Sequence, residues 1–415
     1  MQMRRLVSSL FVLALLLGTA SVQLTVAEEI VIGGQCDRTG PTKFVGTLIC
    51  PGITDYIALV NAKGGVEGHT IKYIEVEHAY KVDRGIEAYE RIKRDGGVAT
   101  FDYGTPIVYA LAPRHMEDKI PGITPGFGRA DAADGERFPY IFPVAASYWS
   151  QGSAAMKFVK DKGAKEGSKI AYIYYDNAAG QEPLPIFREI CKLEGYKCRE
   201  FAIPPPGVEM AASVLDIARR FRADFVVSHL FGKAPAISIK EFRKNAYKLN
   251  KIVSLVWGAG ENDMIAAGCE DNKADGYLAM HFAGVGREFP VIQEIMKTIY
   301  EDNKKEVPAH VGQVYYNRGV FNAAIMVEGV RNAIKNHGLP VTGEKVKLGY
   351  EQIKDFTLGG FLPPLNVTAQ DHEGGGWVQI YETKGCNLEK HTDWFQGYRE
   401  VVMAEIKKAA EHEKK

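Results

Sequence analysis

Two successive series of short apolar strands alternating with amphipathic helices constrain the fold of this chain more than any other feature. In the first series, residues 70–77 alternate apolar and polar side chains, as in a half-buried strand, and residues 83–94 follow with helical spacing. The same order begins again after Tyr148, where a helical stretch at 153–162 precedes a strand at 169–175. Strand–helix–strand units set consecutive strands parallel and cover the sheet with helices. The sequence therefore predicts an α/β protein with two mostly parallel sheets, each flanked by helices.

No low-complexity linker separates the two series, which indicates two lobes joined by short crossovers. The length of 415 residues fits two domains of ordinary size. In open sheets of this kind, ligands bind beyond the carboxyl ends of the strands, on the loops that lead into helices. We expect those loops, contributed by two facing lobes, to line a cleft.

The first residues are predicted to be a secretory signal peptide. Arg4 and Arg5 precede an almost wholly apolar run at 6–17, and small residues follow at 18–21. The run is short for a membrane span, which takes about 20 residues, so an N-terminal membrane anchor is the less favoured alternative. Cleavage after Ala27 would release a soluble protein into the periplasm.

The six cysteines are too few for a disulfide scaffold, yet an exported chain can form disulfides. Cys191 and Cys198 flank a predicted helix end, a glycine turn and a strand start, a geometry that can bring the two sulfurs together. Two further pairs would complete a set of three, although spacing cannot fix the connectivity and buried free thiols remain the alternative for them. These two pairs would be Cys36 with Cys50 and Cys269 with Cys386.

Charge and motif content argue against several function classes. Lysine plus arginine and aspartate plus glutamate both number 51, so no overall field favours nucleic acid or an anionic membrane. The chain has no Gly-x-Ser-x-Gly elbow, no phosphate-binding Walker loop and no complete dinucleotide fingerprint. Its histidines form no His-x-x-x-His pair, and His229 and His281 lie inside apolar strands, as core histidines do. We expect no catalytic residue, no metal and no cofactor.

Aromatic and glycine residues recur in the loops after predicted strands, where a ligand would bind. Glycines there let backbone N–H groups approach an anion at a helix start, and aromatic rings supply apolar walls. Any one ring could equally belong to the core. We also place Tyr148 and the adjacent Trp149 near the cleft mouth, at the end of the first series. The candidate ligand-binding residues are Tyr103, Gly104, Thr105, Thr124, Gly126, Phe127, Tyr148, Tyr174, Tyr175, Phe231, Trp257 and Glu261.

At these loops the chain resembles a known family. The segments that carry the likeness include the Gly-Pro loop at 40–46, the Asn-Ala-Lys-Gly-Gly-Val-Glu-Gly stretch at 61–68, the turn at 105–106, the segment 140–144 and the late helix at 319–324. In this order they resemble periplasmic substrate-binding proteins of branched-chain amino acid ABC transporters, the leucine-binding type. The resemblance covers residues 29 to 390.

The resemblance implies a type I periplasmic binding protein fold, with two lobes joined by three crossovers near 148, 277 and 357. The first lobe would then comprise 28–147 and 277–356, and the second 148–276 and 357–392. A charged tail helix would occupy 393–415.

The resemblance also assigns roles to the candidate residues. The two first-lobe loops, which carry residues 103–105 and 124–127, would hold a ligand carboxylate. Tyr175 or Tyr174 would pack on the ligand, and Glu261 would hold an amino group. Tyr103 and Phe127 depart from the small hydroxyl residues of amino-acid binders and suggest an aromatic or aliphatic carboxylate, whereas Glu261 suggests an amine. The sequence leaves both open.

The function implied is that of an exported, monomeric, non-enzymatic solute-binding component of an ABC importer. It would trap a small amino acid, carboxylate or amide by hinge closure and deliver it to a membrane permease. Two alternatives stand beside it: a ligand-sensing periplasmic protein, and an amide-processing enzyme on the same scaffold.

Overall fold

The computed structural model describes residues 29–412, so the predicted signal peptide at 1–27 and its cleavage site lie outside the described residues. Two sheets form the framework, and both are flanked by helices, as the α/β pattern predicts. Most of their buried hydrophobic side chains join in one large core cluster. A second cluster lies between the second sheet and several helices on one of its faces, and two small clusters lie in the first lobe.

The first sheet is wholly parallel, with the strand order β2-β1-β3-β4-β5. Its strands are β1 (Ile30–Cys36), β2 (Ile71–Glu77), β3 (Thr100–Phe101), β4 (Gly122–Ile123) and β5 (Ile141–Phe142). The connecting helices are α1 (Lys43–Ala62), α2 (Val82–Arg94) and α3 (Thr105–Asp118). The loops that leave the carboxyl ends of these strands carry the first-lobe candidates for ligand binding.

The second sheet has seven strands in the order β12-β11-β10-β9-β8-β6-β7, parallel except for the last two strands along the chain. Its strands are β6 (Lys169–Tyr175), β7 (Lys197–Ile203), β8 (Phe225–His229), β9 (Ile252–Ser254), β10 (Leu278–His281), β11 (Gln379–Lys384) and β12 (Asn387–Lys390). The accompanying helices are α4 (Tyr148–Asp161), α5 (Ala178–Gln181), α6 (Leu184–Leu193), α7 (Ala211–Leu215), α8 (Ala234–Lys244) and α9 (Glu261–Ala267).

The last four helices are α10 (Pro290–Ile295), α11 (Val314–His337), α12 (Gly343–Tyr350) and α13 (Arg399–His412). Helices α7 and α10 continue as the π-helical turns Asp216–Phe221 and Met296–Tyr300.

Helices α1 and α11 pack closely against each other in the first lobe. Gly52 and Gly319 lie at the contact, where an added Cβ would collide with the backbone of the facing helix at Tyr316 and Ile49. By length and composition α1 could cross a membrane, but half of its most apolar stretch is buried inside the fold. Close packing of this kind accounts for the apolar character of α1 as a core helix.

The crossovers differ in detail from the predicted boundaries at 277 and 357. Strand β10 remains in the second sheet, because Leu278 and Ala279 pair with β9 and the whole strand pairs with β11. The chain therefore leaves the second sheet after His281. Beyond residue 357 it still lies against the first sheet, where His372 Nδ1 is 2.8 Å from the carbonyl oxygen of Ile141, and it enters the second sheet only at β11.

The predicted tail helix starts at Arg399 and packs against the second lobe. Its Val402 and Ile406 side chains are buried against the core next to α4 and α6. Residues 393–398 precede the helix, and Phe395 pairs with Val378 in an isolated bridge. The C-terminal segment thus has one apolar face covered, and it also contacts the turn Ala130–Ala133 of the first lobe.

All six cysteines are paired, in the three pairs considered from the sequence. Cys36–Cys50 joins β1 to α1, and Cys191–Cys198 joins α6 to β7. Cys269–Cys386 closes a separation of 117 residues and ties the segment after α9 to the β11–β12 turn.

Candidate functional site

A small chamber of about 30 Å³ lies between the lobes, at the carboxyl ends of the strands. Each lobe contributes half of the residues that line it. From the first lobe these are Thr42, Val45, Tyr80, Tyr103 and Phe127. From the second lobe they are Tyr148, Ala179, Phe231, Gly232 and Trp257. Six of the ten are aromatic, and none has a charged side chain.

The rings that line the chamber pack against one another, both within the first lobe and across to the second. Phe127 stacks on Trp257 with centroids 4.6 Å apart, and Tyr103 lies 5.4 Å from Phe127. Tyr80 meets Tyr103 edge to face at 6.3 Å. Trp257 Nε1 donates a 2.6 Å hydrogen bond to the carbonyl oxygen of Gly126 in the other lobe. The structure therefore shows the lobes in contact, with the chamber closed between them.

Polar groups lie behind the first-lobe wall of the chamber. Gly104 precedes α3 with φ +106°, and a Cβ there would be 2.5 Å from the Tyr80 ring, so glycine is required. Thr105 Oγ1 accepts a 3.2 Å hydrogen bond from the N–H of Gly128. Thr124 Oγ1 is buried and has no hydrogen-bond partner among residues 29–412, which is unusual for a buried hydroxyl.

A larger vestibule of about 440 Å³ adjoins the chamber and shares Thr42, Tyr80, Phe231 and Gly232 with it. Tyr175 lines this vestibule, with its ring 4.6 Å from that of Phe231. Tyr174 lies on the other face of β6 and stacks on Tyr172 at 5.1 Å. Of the two tyrosines predicted for this role, the structure brings only Tyr175 to the cleft.

Residues Tyr148 and Trp149 have different surroundings. Tyr148 is buried and lines the chamber, 4.6 Å from the ring of His229. Trp149 is buried behind it and donates from Nε1 to the backbone oxygen of Glu182 at 2.9 Å.

His229 and His281 are both fully buried. Burial lowers the pKa of His229 to about 3, so it stays neutral.

Glu261 does not line the chamber. Both of its carboxylate oxygens accept from the N–H of Val314, at 3.0 and 3.2 Å, at the start of α11. Burial raises the pKa of this carboxyl. The side chain that the sequence suggests for an amino group is thus bound to a helix N-terminus, a favourable position for a carboxylate.

Two buried acids near the cleft had no recognisable sequence signal. Glu182 Oε1 accepts a 2.6 Å hydrogen bond from the N–H of Ala130 across the lobes, while Oε2 has no partner in the described part of the chain. Burial raises the pKa of Glu182 to about 8. Asp263 accepts from the hydroxyl of Tyr315 at 2.8 Å, and burial raises its pKa to about 7.

A buried cation stands behind Trp257. The Arg318 guanidinium lies 5.0 Å from the indole and 5.2 Å from the Tyr315 ring, and it donates to the carbonyl oxygen of Val256 at 2.5 Å. Within residues 29–412, no carboxylate lies within ion-pair distance of it. Burial lowers the pKa of Arg318 to about 10, so it keeps its charge at neutral pH.

Five lining residues were missed from the sequence: Thr42, Val45, Tyr80, Ala179 and Gly232. Tyr80 follows β2, and Thr42 lies just before α1. The rule that ligands bind at the carboxyl ends of the strands could therefore have identified both.

One group of potential metal ligands occurs among the described residues, formed by Cys36, Cys50 and Glu75. The two sulfurs are joined in a disulfide, which removes them as metal ligands.

Comparison with known proteins agrees with this architecture. Residues 29–387 match the family model described as "Periplasmic binding protein". A solved structure described as an ABC transporter permease from the Pseudomonas fluorescens group is 29% identical, with a TM-score of 0.86, over 93% of this chain and 97% of that one. No match was found among the curated proteins.

More distant solved structures share the fold. A branched-chain amino acid ABC transporter protein from Thermus thermophilus with bound valine is 19% identical, with a TM-score of 0.78, over 91% of this chain and 98% of that one. A fatty acid ABC transporter substrate-binding protein from Thermomonospora curvata is 18% identical, with a TM-score of 0.75, over 90% of this chain and 94% of that one. The family match over most of the chain and the two flanked sheets confirm the resemblance and the fold inferred from the sequence: this chain belongs to the periplasmic binding protein family.

Proposed function

We propose that this protein is the solute-binding component of an ABC importer, which traps a small carboxylate or amino acid between its lobes and presents it to a membrane permease. It acts in the periplasm as a monomer, after removal of residues 1–27. It needs no cofactor and leaves its ligand chemically unchanged.

The observation that carries the proposal is the closed chamber whose two halves come from different lobes. A ligand that fills such a chamber contacts both lobes at once, so binding and closure are coupled. The protein from Thermus thermophilus holds valine, and the one from Thermomonospora curvata is named for fatty acids; both ligands carry a carboxylate. The buried hydroxyl of Thr124, which lacks a partner, is a suitable donor for such a group.

A thermal-unfolding screen of the mature protein against amino acids, carboxylic acids and amides tests this function. A ligand that binds only the native state at 100 times its Kd stabilises it by about 2.7 kcal/mol, a shift of some degrees in Tm. We expect at least one small carboxylate or amino acid to give such a shift and to be recovered intact by mass spectrometry. Conversion of the bound compound would instead support the amide-processing enzyme.

Thr124→Val is expected to change stability and affinity in opposite directions. Loss of a buried, unsatisfied hydroxyl should stabilise the ligand-free protein by about 1 kcal/mol, since such a group costs about 1–3 kcal/mol. Loss of a donor to a charged carboxylate should weaken carboxylate binding by about tenfold or more. Calorimetric titration and thermal unfolding measure the two effects.

Ser228→Ala, which removes a buried hydroxyl from within β8 of the second lobe and not from a strand end of the first lobe, is the matched control and should leave affinity unchanged. Unchanged carboxylate affinity in Thr124→Val would show that this hydroxyl does not contact the ligand.

Glu261→Gln should leave ligand affinity within about threefold of wild type. The glutamine oxygen can still accept from the N–H of Val314, and only the charge at the start of α11 is lost, which typically costs about 0.3–1 kcal/mol of stability. Titration with leucine and with its amine-free analogue 4-methylpentanoate measures the effect. A loss of a hundredfold for leucine alone would restore Glu261 as the partner of a ligand ammonium.

A further inference from the structure

We propose that the ligand class is a planar aromatic carboxylate without an amino group. The proposal rests on the solute-binding function above and identifies what the chamber selects. It depends on three features of the chamber: its ring walls, its lack of a group for an ammonium, and the buried cation behind it.

The first feature is the composition and arrangement of the walls. Six rings face the chamber, from Tyr80, Tyr103 and Phe127 in one lobe and from Tyr148, Phe231 and Trp257 in the other. Neighbouring rings are 4.6 to 6.3 Å apart in stacked, tilted and edge-to-face arrangements. Aromatic pairs favour such spacings. A flat ring that enters between the lobes can adopt the same spacings toward both walls as they close.

The small size of the chamber also favours a planar ligand. At about 30 Å³ it has room for little more than a water molecule, so any ligand must separate the lobes. A planar molecule requires a smaller separation than a puckered or branched one of equal mass. The walls can then remain in contact with both of its faces, which keeps the apolar surface buried.

The second feature is the lack of a charged carboxylate in the chamber lining. Glu182, whose Oε2 has no partner among residues 29–412, does not line the chamber, and burial raises its pKa to about 8, so it is mainly uncharged at neutral pH. No lining side chain is charged, and both oxygens of Glu261 accept from Val314. Behind the lining residue Thr42, the Asp37 carboxylate already accepts from the N–H of Gly40 and from both the N–H and the hydroxyl of Thr42. An amino acid would lose the hydration of its ammonium without a charged partner, which is unfavourable.

The third feature is the charge of Arg318. The guanidinium covers the indole of Trp257 from outside the chamber, and no carboxylate of residues 29–412 pairs with it. Glu261 and Asp263 interact with it electrostatically without forming an ion pair, and burial raises the pKa of both carboxyls, so its positive field still favours an anion in the chamber over a cation. Aromatic cages often bind quaternary ammonium groups, but a buried cation beside the wall works against that use here.

Matched pairs of probes separate these features in calorimetric titrations of the mature protein at neutral pH. Benzoate against cyclohexanecarboxylate tests planarity. The pair 3-phenylpropionate and phenylalanine tests the amino group, and benzoate against phenyltrimethylammonium tests the sign of the charge. We expect the first member of each pair to bind at least tenfold more tightly.

A pair of variants on one strand tests the ring walls. Phe231 follows the carboxyl end of β8 and lines the chamber, whereas Phe225 begins β8 and is similarly half-buried away from it. Phe231→Leu should weaken benzoate by at least fivefold and cyclohexanecarboxylate by less than twofold. Phe225→Leu should change neither affinity.

The proposal is overturned if phenylalanine or leucine binds more tightly than its amine-free analogue. Equal affinity for benzoate and cyclohexanecarboxylate, preference for the quaternary ammonium, or no binding of any carboxylate overturns it as well. Tight binding of an intact amino acid would refute the aromatic-acid class while leaving the solute-binding function in place. Chemical conversion of a bound probe would refute the solute-binding function itself.

Discussion

Arg399→Met should lower the free energy of unfolding by about 3–5 kcal/mol, the usual cost of breaking a buried ion pair from one side. Arg399, at the start of α13, pairs with the fully buried Glu373 and with Asp371, the latter at 2.6 Å. Glu373 also accepts from the N–H of Ser147 at 2.5 Å, on the first crossover. Without the arginine, a carboxylate is left uncompensated where two crossovers meet.

Urea denaturation followed by circular dichroism measures the loss. Arg188→Met is the control, because Arg188 pairs with Glu200 on the surface with 61% of its side chain exposed, and such pairs contribute about 0–1 kcal/mol. If the two variants lose equal stability, the contacts of Arg399 do not support the crossovers in the way described.

Glu182→Gln should remove most of the pH dependence of ligand binding. In the closed structure burial raises the pKa of Glu182 from 4.5 to about 8, with Asp131 acting in the same direction and Arg129 against it. When the lobes separate, this carboxyl becomes hydrated and regains an ordinary pKa. The neutral form therefore favours closure, a contribution that is complete below about pH 4.5 and is lost as the pH rises to about 8.

For wild-type protein we accordingly expect affinity for benzoate to fall between pH 6 and pH 9, by at most about tenfold per pH unit up to pH 8. Glu182→Gln keeps an acceptor for the N–H of Ala130 and should bind with nearly constant affinity over this range. The buried carboxyls of Asp263 and Glu261 account for any residual slope.

The control for this experiment is Glu166→Gln, at an exposed position of the second lobe, which should retain the wild-type profile. A Glu182→Gln profile as steep as that of wild type would mean that Glu182 does not couple protonation to closure.

The alternation of strands and helices was predictable from local periodicity, because the strand pattern and the helix pattern each extend over only a few neighbouring residues. The sheet that a strand joins depends on distant partners. Strand β10 shows this: nothing in its four residues indicates pairing with both β9 and β11, so the return to the first lobe was placed before it. Likewise, the charged residues after 400 indicated a tail helix, but the surface that buries Val402 and Ile406 is formed by distant elements, α4 and α6 among them.

The candidate site was predictable to the level of loops and less so to the level of side chains. The rule that ligands bind at strand carboxyl ends identified Tyr103, Phe127 and Trp257, because the fold brings those ends together. The choice between Tyr174 and Tyr175 depends on which face of β6 each side chain occupies, and the partner of Glu261 depends on where α11 begins. These are properties of packing between elements distant in sequence.

Ligand-driven closure of the lobes is the central claim, and pulsed electron spin resonance between Lys81→Cys and Glu209→Cys tests it most directly. Both positions are exposed, follow strand carboxyl ends in different lobes, and line neither the chamber nor the vestibule. We predict a broad set of longer distances in the ligand-free protein and one shorter distance at saturating benzoate. A distance distribution unchanged at calorimetrically verified saturation would contradict the claim.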